Sequence, residues 1–408
     1  MLFSSVITLA TVATALPAFI DLGAETLFVD DDANEARLLK LGPNDFKIST
    51  EVEKLYLKRN GQKFIDVTNQ ISIDEAIAQG LVGERSASFN LPKIWGKQIN
   101  DIAPIPKYNY PKAANNKKRV KKVFTLIDME TVRKNLAELT SFRTRYYKSL
   151  EGKDSADWLF KKVEEITAPL GKKVHVLKVH HNGWDQYSII ALIVGKSDDK
   201  VVVGSHQDLA NLIFPTLMAA PGADDDGSGT VTILEALRLL VHEIKVKNLE
   251  LANTLEFHFY LAEEGGLLGL IDVFSRYAKN KETVLGMLQQ DMTGYSQGMK
   301  DAGVPEHMGL ITDYTNVQLN DFIKLLIETY NLIPYREDKC GYACLDHALA
   351  LENGYPLSFV IELANEYTNK YIHSVMDTLD RLDFEHMREH VQLTIAYAIE
   401  LATAKNLY

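Results

Sequence analysis

Apolar runs of strand length that alternate with helical patterns constrain the fold of this chain more than any other feature. Four such runs, each containing several Val, Leu, Ile or Phe residues, cover 200–206, 254–266, 284–292 and 355–363. Apolar residues at helical spacing occupy 129–150, 155–171, 230–244 and 320–332. Near-continuous apolar strands that alternate with helices are typical of a parallel sheet with both faces covered. We therefore predict an α/β fold with a largely parallel sheet between layers of helices.

Length and composition limit the class of protein. The chain has 408 residues, more than one hydrophobic core usually holds, so we expect two units or one large domain with appendages. Its 46% apolar and 24% charged residues are typical of a soluble globular protein. The net charge of −11 argues against nucleic acid or an anionic membrane as a partner, because a phosphate-binding surface needs a basic excess.

The first residues indicate export from the cell. Residues 1–19 form an apolar run too short to span a bilayer, and the run contains the small-residue pattern Ala13-Thr14-Ala15. We interpret 1–15 as a signal peptide and expect a secreted product free of the membrane. The run carries no Lys or Arg at its start, so a buried N-terminal helix is the alternative.

The segment before the apolar runs contains no cluster of chemically active residues. It ends in a stretch rich in Pro, Asn and Lys at 103–124, which has the composition of a linker. Lys118-Arg119 inside this stretch is a dibasic pair of the kind that secretory processing proteases cut. We therefore predict that 16–107 is a propeptide, with an end that could extend to 119, and that 108–408 is the mature domain. An integral N-terminal domain is the alternative.

Titratable side chains follow three of the predicted strands at the point where each strand ends. These residues are His206 with Asp208, the pair Glu263 and Glu264, and Asp291. The carboxyl ends of the strands in an open α/β sheet line one crevice, so we expect these side chains to converge there. Two adjacent carboxylates repel each other and are costly to bury, so the Glu263–Glu264 pair favours a bound cation.

Two further residues extend this set to ligands that suit zinc. They are Asp225 and His373. Taken alone, a histidine at a strand end is usually structural, and an aspartate at a helix start is usually an N-cap. Two imidazoles and several carboxylates without thiolates, however, form an oxygen and nitrogen ligand set that zinc accepts.

Three consecutive aspartates, Asp224 to Asp226, precede the helical pattern at 230–244. A solvated acidic turn, a calcium loop and a carboxylate presented to a metal are the competing interpretations. The spacing resembles an EF-hand loop, but that motif needs a helix on both sides, and 214–223 contains Pro and Gly where the entering helix belongs. We favour a glycine-bracketed turn that presents one aspartate to a metal while its neighbours cap the helix.

The chain has only two cysteines, Cys340 and Cys344. In an oxidising compartment, we expect a lone close pair to form one disulfide that shapes a short loop. A zinc thiolate site is the rival interpretation, but the sequence has no third or fourth cysteine to complete it.

Together these motifs resemble the co-catalytic zinc aminopeptidases of peptidase family M28, most closely the secreted bacterial and fungal leucine aminopeptidases. The segments that carry the resemblance are GSHQD, APGADDDGSG, AEEGGLLG, QQDMTGY, ITDYT, CGYACLDH and YIHSVMDT. They occur in the family's order and at comparable spacing over about 108–408. The resemblance implies the zinc-dependent exopeptidase fold, a three-layer α/β structure with a mostly parallel mixed sheet covered by helices on both faces.

The resemblance also implies two zinc ions per chain and assigns five residues as their ligands. Asp225 would bridge the two ions. His206 and Asp291 would complete the shell of one ion, and Glu264 and His373 that of the other.

Three further roles follow from the same resemblance. Glu263 would be the general base, and Asp208 would hold the far nitrogen of His206 as a carboxylate outside the metal shell. Tyr342, which lies between the two cysteines, matches a tyrosine that hydrogen-bonds the tetrahedral intermediate.

The expected function is a secreted, monomeric zinc aminopeptidase that acts on peptides with a free N-terminus and prefers large apolar, leucine-like first residues. Candidate residues for the apolar substrate pocket are Met292, Ile311, Phe359, Ile361 and Ile372. Asn365 and Thr368 stand where the resemblance leads us to expect aromatic side chains, which leaves the preferred residue open. Two alternatives are a single-zinc acyltransferase like the glutaminyl cyclases and a non-catalytic binding module on the same fold.

Overall fold

A computed structural model of the chain describes residues 35–42, 44–82, 105–341 and 353–408. The chain divides into two compact units, one of Met1–Asn90 with Leu212–Phe214 and the other of Leu91–Asn211 with Pro215–Tyr408. The predicted signal peptide, Tyr342 and Cys344 lie outside the described residues. Among the described helices, none combines the length and the apolar character that crossing a bilayer requires.

The first unit contains a small antiparallel sheet with two helices. Its elements are β1 (Arg37–Gly42), β2 (Asp45–Ser49), α1 (Glu51–Arg59), β3 (Ile65–Asp66) and α2 (Ile73–Ala78), with β1 between β2 and β3. The buried Lys54 ammonium lies 2.9 Å from both Glu51 and Asp66, and Arg37 also reaches Asp66 at 2.9 Å. Burial opposes the charge on Asp66, but Lys54 and Arg37 outweigh it and lower the pKa of this carboxyl. These ion pairs tie the sheet of this unit to α1.

The second unit is built on an eight-stranded mixed sheet of described residues. The strands are β4 (Val174–Val179), β5 (Ser188–Ile193), β6 (Ser197–His206), β7 (Asn253–Tyr260), β8 (Val284–Asp291), β9 (Met308–Ile311), β10 (Tyr335–Asp338) and β11 (Leu357–Ile361). They lie in the order β10-β9-β11-β8-β6-β7-β5-β4. The central strands β11, β8, β6 and β7 are parallel, and antiparallel pairs occur at β7-β5-β4 and at β11-β9. The predicted mostly parallel mixed sheet is confirmed.

Helices cover both faces of this sheet. They are α3 (Lys117–Phe124), α4 (Met129–Leu139), α5 (Leu150–Thr167), α6 (Gly229–Val246), α7 (Leu268–Asn280), α8 (Gln297–Ala302), α9 (Val317–Tyr330) and α10 (Phe384–Ala402). Side chains alternate across a strand, so Phe257 and Phe259 of β7 enter the main core, which also holds apolar residues of α6 and α10. Glu256 points to the opposite face, where the hydroxyl of Tyr277 in α7 donates to it at 2.7 Å. The three-layer α/β fold is therefore confirmed.

The helical pattern at 129–150 gives a shorter helix than its spacing indicates. Helix α4 ends at Leu139, and the hydroxyl of Thr140 donates to the carbonyl of Leu136 at 2.8 Å. Such a side-chain bond competes with continuation of the helical ladder. The chain then leaves the helix, and Tyr146 and Tyr147 are buried outside any helix.

Candidate metal centre

Parallel strands bring the predicted ligands to one edge of the sheet. Strand β6 ends at His206 and β8 ends at Asp291. His206 pairs with Tyr260, the last residue of β7, and Glu263 and Glu264 follow that strand. Both glutamates are buried. The convergence expected from the strand-end rule is present.

One group of side chains surrounds His206. Its Nε2 atom lies 3.2 Å from Oδ1 of Asp225 and 3.4 Å from Oδ2 of Asp291. All three residues are buried. His206 has its ring orientation fixed on the other side, where Nδ1 donates to the main-chain carbonyl of Asp208 at 3.1 Å.

A second group surrounds His373, which is half-buried in the segment after β11. Its Nε2 atom lies 3.0 Å from Oδ2 of Asp225 and 2.9 Å from Oε1 of Glu264. The two oxygens of Asp225 thus face two different imidazoles, one from each group. This is the arrangement that a carboxylate shared between two cations requires.

Asp226 also lies near the first group, with an oxygen close to ligand atoms of His206 and Asp291. Its carboxylate, however, accepts the backbone N–H of His206 at 3.2 Å, of Gly229 at 2.9 Å and of Met292 at 3.0 Å. Backbone donors therefore already satisfy Asp226, and it ties the turn to β6, α6 and the end of β8.

Several buried polar atoms of the site lack a hydrogen-bond partner within the described residues, as expected of atoms that bind a metal. Both carboxylate oxygens of Asp291 and Nε2 of His206 are buried without a hydrogen-bond partner in the part of the chain that the structure describes. Buried polar atoms are normally paired, and an uncompensated buried carboxylate is costly. Oxygen and imidazole nitrogen atoms are the donors that zinc accepts. The residues present fit a zinc centre.

Carboxylates dominate the electrostatics of the site. Burial opposes the charge on His206, but the nearby carboxylates, Asp291 above all, outweigh it and raise the pKa of this imidazole well above its usual value. In the same way, burial is outweighed by Glu264 and Asp225, which raise the pKa of His373 to about 10. The two imidazoles in turn hold the pKa of Asp225 below its usual range despite burial. The site attracts positive charge.

The aspartate turn is held by a residue that the sequence analysis did not single out. The carboxylate of Asp377 accepts the backbone N–H of Asp224 at 3.0 Å and of Asp225 at 3.1 Å. Burial and the nearby Asp224 raise the pKa of Asp377 to about 7. The peptide bond between Asp225 and Asp226 is cis. Asp377 lies in the segment YIHSVMDT, four residues after His373. This closeness to a candidate ligand is the sequence signal that could have identified it.

Asp208 approaches His206 as expected and also binds two backbone amides. Its Oδ1 atom accepts the N–H of Glu263 at 3.0 Å, and Oδ2 accepts the N–H of Glu264 at 3.2 Å. Oδ1 is 3.6 Å from Nδ1 of His206, farther than the main-chain carbonyl to which that nitrogen donates. The side chain of Asp208 therefore orients the two glutamates more directly than the histidine.

The candidate pocket residues lie on the sheet and beside the ligands. Phe359 pairs with Ile311 across β11 and β9, and Ile361 lies two residues farther along the same face. All three are buried. Met292 directly follows Asp291, and Ile372 directly precedes His373.

The loop that would carry Tyr342 is described only at its start. The N–H groups of Cys340 and Gly341 donate to the two oxygens of Asp313 at 3.1 and 2.9 Å. Asn365 lies next to this start, because its amide donates to the carbonyl of Lys339 at 3.1 Å. The Cys340–Cys344 disulfide stays a prediction because Cys344 lies outside the described residues. Thr368 is half-buried three residues after Asn365.

Comparisons with known proteins identify relatives of this chain. The sequence pattern of peptidase family M28 matches residues 188–398. A probable aminopeptidase of Saccharomyces cerevisiae is 47% identical over 370 residues, which cover 90% of this chain and 92% of that protein. Leucine aminopeptidase 1 of Paracoccidioides brasiliensis is 44% identical over 381 residues, 92% of this chain and 91% of the relative. The crystal structure of the LapA aminopeptidase of Legionella pneumophila superposes with a TM-score of 0.74 at 27% identity and covers 91% of this chain and 99% of that one.

Proposed function

The chain belongs to peptidase family M28 and is a metal-dependent aminopeptidase, and from this premise we propose that it is a two-zinc enzyme that removes leucine-like residues from the N-termini of peptides. The observation that carries the proposal is the position of Asp225. Its two oxygens lie 3.2 Å from Nε2 of His206 and 3.0 Å from Nε2 of His373. One carboxylate between two imidazoles is suited to bridging two cations.

Five residues would hold the metal ions. Asp225 would bridge them, with His206 and Asp291 on one side and Glu264 and His373 on the other. Zinc ions bound there supply a more acidic water and polarise the scissile carbonyl. The buried atoms of Asp291 and His206 that form no hydrogen bond within the described residues support this assignment.

Glu263 would act as the general base. It is buried beside the proposed ligand Glu264, and its backbone N–H donates to Asp208 at 3.0 Å. Its carboxylate would take a proton from the attacking water and return that proton to the nitrogen of the leaving amine. Tyr342 would donate a hydrogen bond to the oxygen that becomes negative, as the family resemblance implies.

The apolar first residue of the substrate would bind on the face of β9 and β11 that carries Ile311 and Phe359. The neighbouring residues Leu310 and Val360 belong to the main core, so side-chain alternation directs Ile311 and Phe359 to the other side of the sheet. Met292, Ile361 and Ile372 would complete the wall. An apolar wall beside the metals favours large aliphatic side chains.

A substrate panel tests this proposal. The full-length chain is assayed on leucine p-nitroanilide, its N-acetylated counterpart and a peptide with N-terminal glutamine, before and after chelation. We expect hydrolysis of the free-amine substrate, loss of turnover on chelation and recovery with zinc. Turnover of the acetylated substrate at the same rate would contradict exopeptidase specificity. Pyroglutamate formation in place of hydrolysis would identify a cyclase-like acyltransferase, and no turnover with bound metal would indicate a binding module.

We further propose that the N-terminal segment is a propeptide that ends near residue 107 rather than at 119. Tyr108 is buried, the N–H of Asn109 donates to the carbonyl of Leu407 at 2.7 Å, and Tyr110 donates to the carbonyl of Leu285 at 2.7 Å. Cleavage after Arg119 would remove these contacts from the second unit. N-terminal sequencing of the mature protein should give a start at or before Tyr108, and a start at Val120 would contradict this boundary.

We also propose that the enzyme is secreted as a monomer and that 1–15 are removed on export. The apolar run and the small residues before Leu16 support this reading. Protein recovered from the medium of a fungal host should lack the first 15 residues. Retention of Met1 in a cell-associated product would contradict export.

A further inference from the structure

Arg145 is a fully buried arginine in the segment between α4 and α5. No motif of the sequence marks it, and among the described residues none of its hydrogen bonds goes to a carboxylate. Its guanidinium donates to main-chain carbonyls from all three nitrogens, and the acceptors are the carbonyls of Gln207, Pro221, Gly222 and Asp225. A buried cation that binds only main-chain carbonyls within the described residues is suited to holding the backbone segments that carry those carbonyls in place.

The acceptors belong to two segments that carry candidate zinc ligands. Nε of Arg145 donates at 2.8 Å to the carbonyl of Gln207, the residue between His206 and Asp208. Nη2 donates at 3.0 Å to Gly222 and at 3.3 Å to Asp225, so it contacts the start of the turn and the bridging residue itself. One rigid, planar group thus spans the end of β6 and the aspartate turn.

The approach of the guanidinium also explains a glycine. Gly222 has φ +56, and a Cβ atom there would lie 2.3 Å from Cδ2 of Leu209 and 2.6 Å from Nη2 of Arg145. A side chain at this position would displace the guanidinium from the turn. The backbone conformation and the close contact both require glycine.

We propose that Arg145 is a positioning residue that fixes the Asp225 turn against the end of β6 before metal binds. This inference rests on the proposed two-zinc function. The planar fork of an arginine suits the role, because its donors point in fixed directions and it stays charged when buried. Its charge lies among Asp377, Asp225, Asp208 and Asp226. It offsets their mutual repulsion while its hydrogen bonds go to carbonyls, which leaves the carboxylate of Asp225 facing the two imidazoles.

Two substitutions test the role. Arg145→Met removes the charge and every donor at similar length. Arg145→Lys keeps the charge, but a single ammonium cannot span both segments. Arg143→Met is the matched control, because Arg143 also donates to a main-chain carbonyl, that of Leu217 at 3.0 Å. Its side chain, however, is 44% exposed, and within the described residues it makes no hydrogen bond to the aspartate turn.

The first readout needs no metal. Amide hydrogen exchange is measured on the metal-free, full-length chain, with attention to peptides that cover 220–230. We expect faster exchange there in both Arg145 variants than in wild type and in the Arg143 control, with exchange of the remaining core unchanged. The second readout is zinc affinity by competition with a chelator. We expect it to fall about 10- to 100-fold, as is usual when a group that orients metal ligands is lost, and to fall less in Arg145→Lys.

Each other outcome overturns the inference. Unchanged exchange at 220–230 with wild-type zinc affinity would show that the turn holds its position without Arg145. Uniformly faster exchange with unchanged affinity, or failure of both variants to fold, would assign Arg145 to general stability. A wild-type chain that binds no zinc would contradict the proposed function instead. The exchange data on the metal-free protein would still decide the role of Arg145.

Discussion

Asp208→Asn is the substitution whose effect the structure defines most clearly. The two oxygens of Asp208 accept the N–H of Glu263 at 3.0 Å and of Glu264 at 3.2 Å. An asparagine has one oxygen and one NH2 group in the same space. Whichever way the amide turns, one of the two backbone donors then faces another donor. The change therefore acts on the segment that carries the proposed base and one proposed ligand.

The size of the effect follows from burial. Asp208 is fully buried, so a backbone N–H that loses its acceptor gains no water in exchange. Leaving a buried donor unsatisfied costs about 1–3 kcal/mol, and the remaining bond weakens because its acceptor is no longer charged. We expect the free energy of unfolding of the metal-free protein to fall by about 2–3 kcal/mol. A shifted base and ligand should lower kcat/KM about 10- to 100-fold.

Urea unfolding of the metal-free, full-length chain and kcat/KM on leucine p-nitroanilide measure the two effects. Asp154→Asn is the control, since Asp154 is an exposed aspartate of α5. If Asp208→Asn unfolds at the wild-type urea concentration with unchanged kcat/KM, the two hydrogen bonds do not orient the glutamates. Lost stability with wild-type turnover would refute the positional argument alone.

Two further predictions concern pH. In metal-free protein the pKa of His206 is raised well above its usual value and that of His373 to about 10, so both imidazoles are protonated at neutral pH and must release protons to bind zinc. Zinc affinity from chelator competition should therefore keep rising with pH toward about 10, and a profile that levels off above about pH 7, as for ordinary imidazoles, would contradict these shifts. Asp383 caps α10 and accepts a hydrogen bond from Lys300 at 2.7 Å. Burial opposes the charge on its carboxylate, but Lys300 and Ser296 outweigh burial and lower the pKa of Asp383 to about 2. A lowered carboxyl pKa stabilises the fold above the unfolded value of about 3.9 and loses that effect as pH falls through about 2. Asp383→Asn should cost about 1–2 kcal/mol at pH 7 after allowance for screening, and this cost should shrink between about pH 4 and 2; a pH-independent cost would reject the linkage.

Local patterns were sufficient to predict the sheet and the place of the site. The run at 200–206 corresponds to β6, because a strand buried on both faces must be apolar along its length. His206 ends this run, and the geometry of parallel strands then predicts that it lies at the same edge of the sheet as the other candidate ligands. The helical pattern at 230–244 lies within α6. It could be predicted because the spacing of its apolar residues follows the helical period along the whole element.

Contacts between distant segments could not be predicted in this way. Arg145 and Asp377 hold the aspartate turn from positions 80 and 152 residues from Asp225. Arg145 has no local signature, and the place of Asp377 after His373 does not indicate which segment it contacts. Lys54 and Asp66 similarly form a buried ion pair that single-residue patterns do not reveal. Such pairings depend on how the chain folds back on itself.

The central claim is a two-zinc centre with Glu263 as base, and metal content measured together with turnover tests it most directly. Wild-type and Glu263→Gln protein are stripped of metal, titrated with zinc, and assayed on leucine p-nitroanilide at each step. We predict about two zinc ions per chain in both proteins, since Glu263 is not a proposed ligand, and a fall in kcat of about 10²- to 10⁴-fold in the variant. Saturation at one zinc, or a variant as active as wild type, would contradict the account.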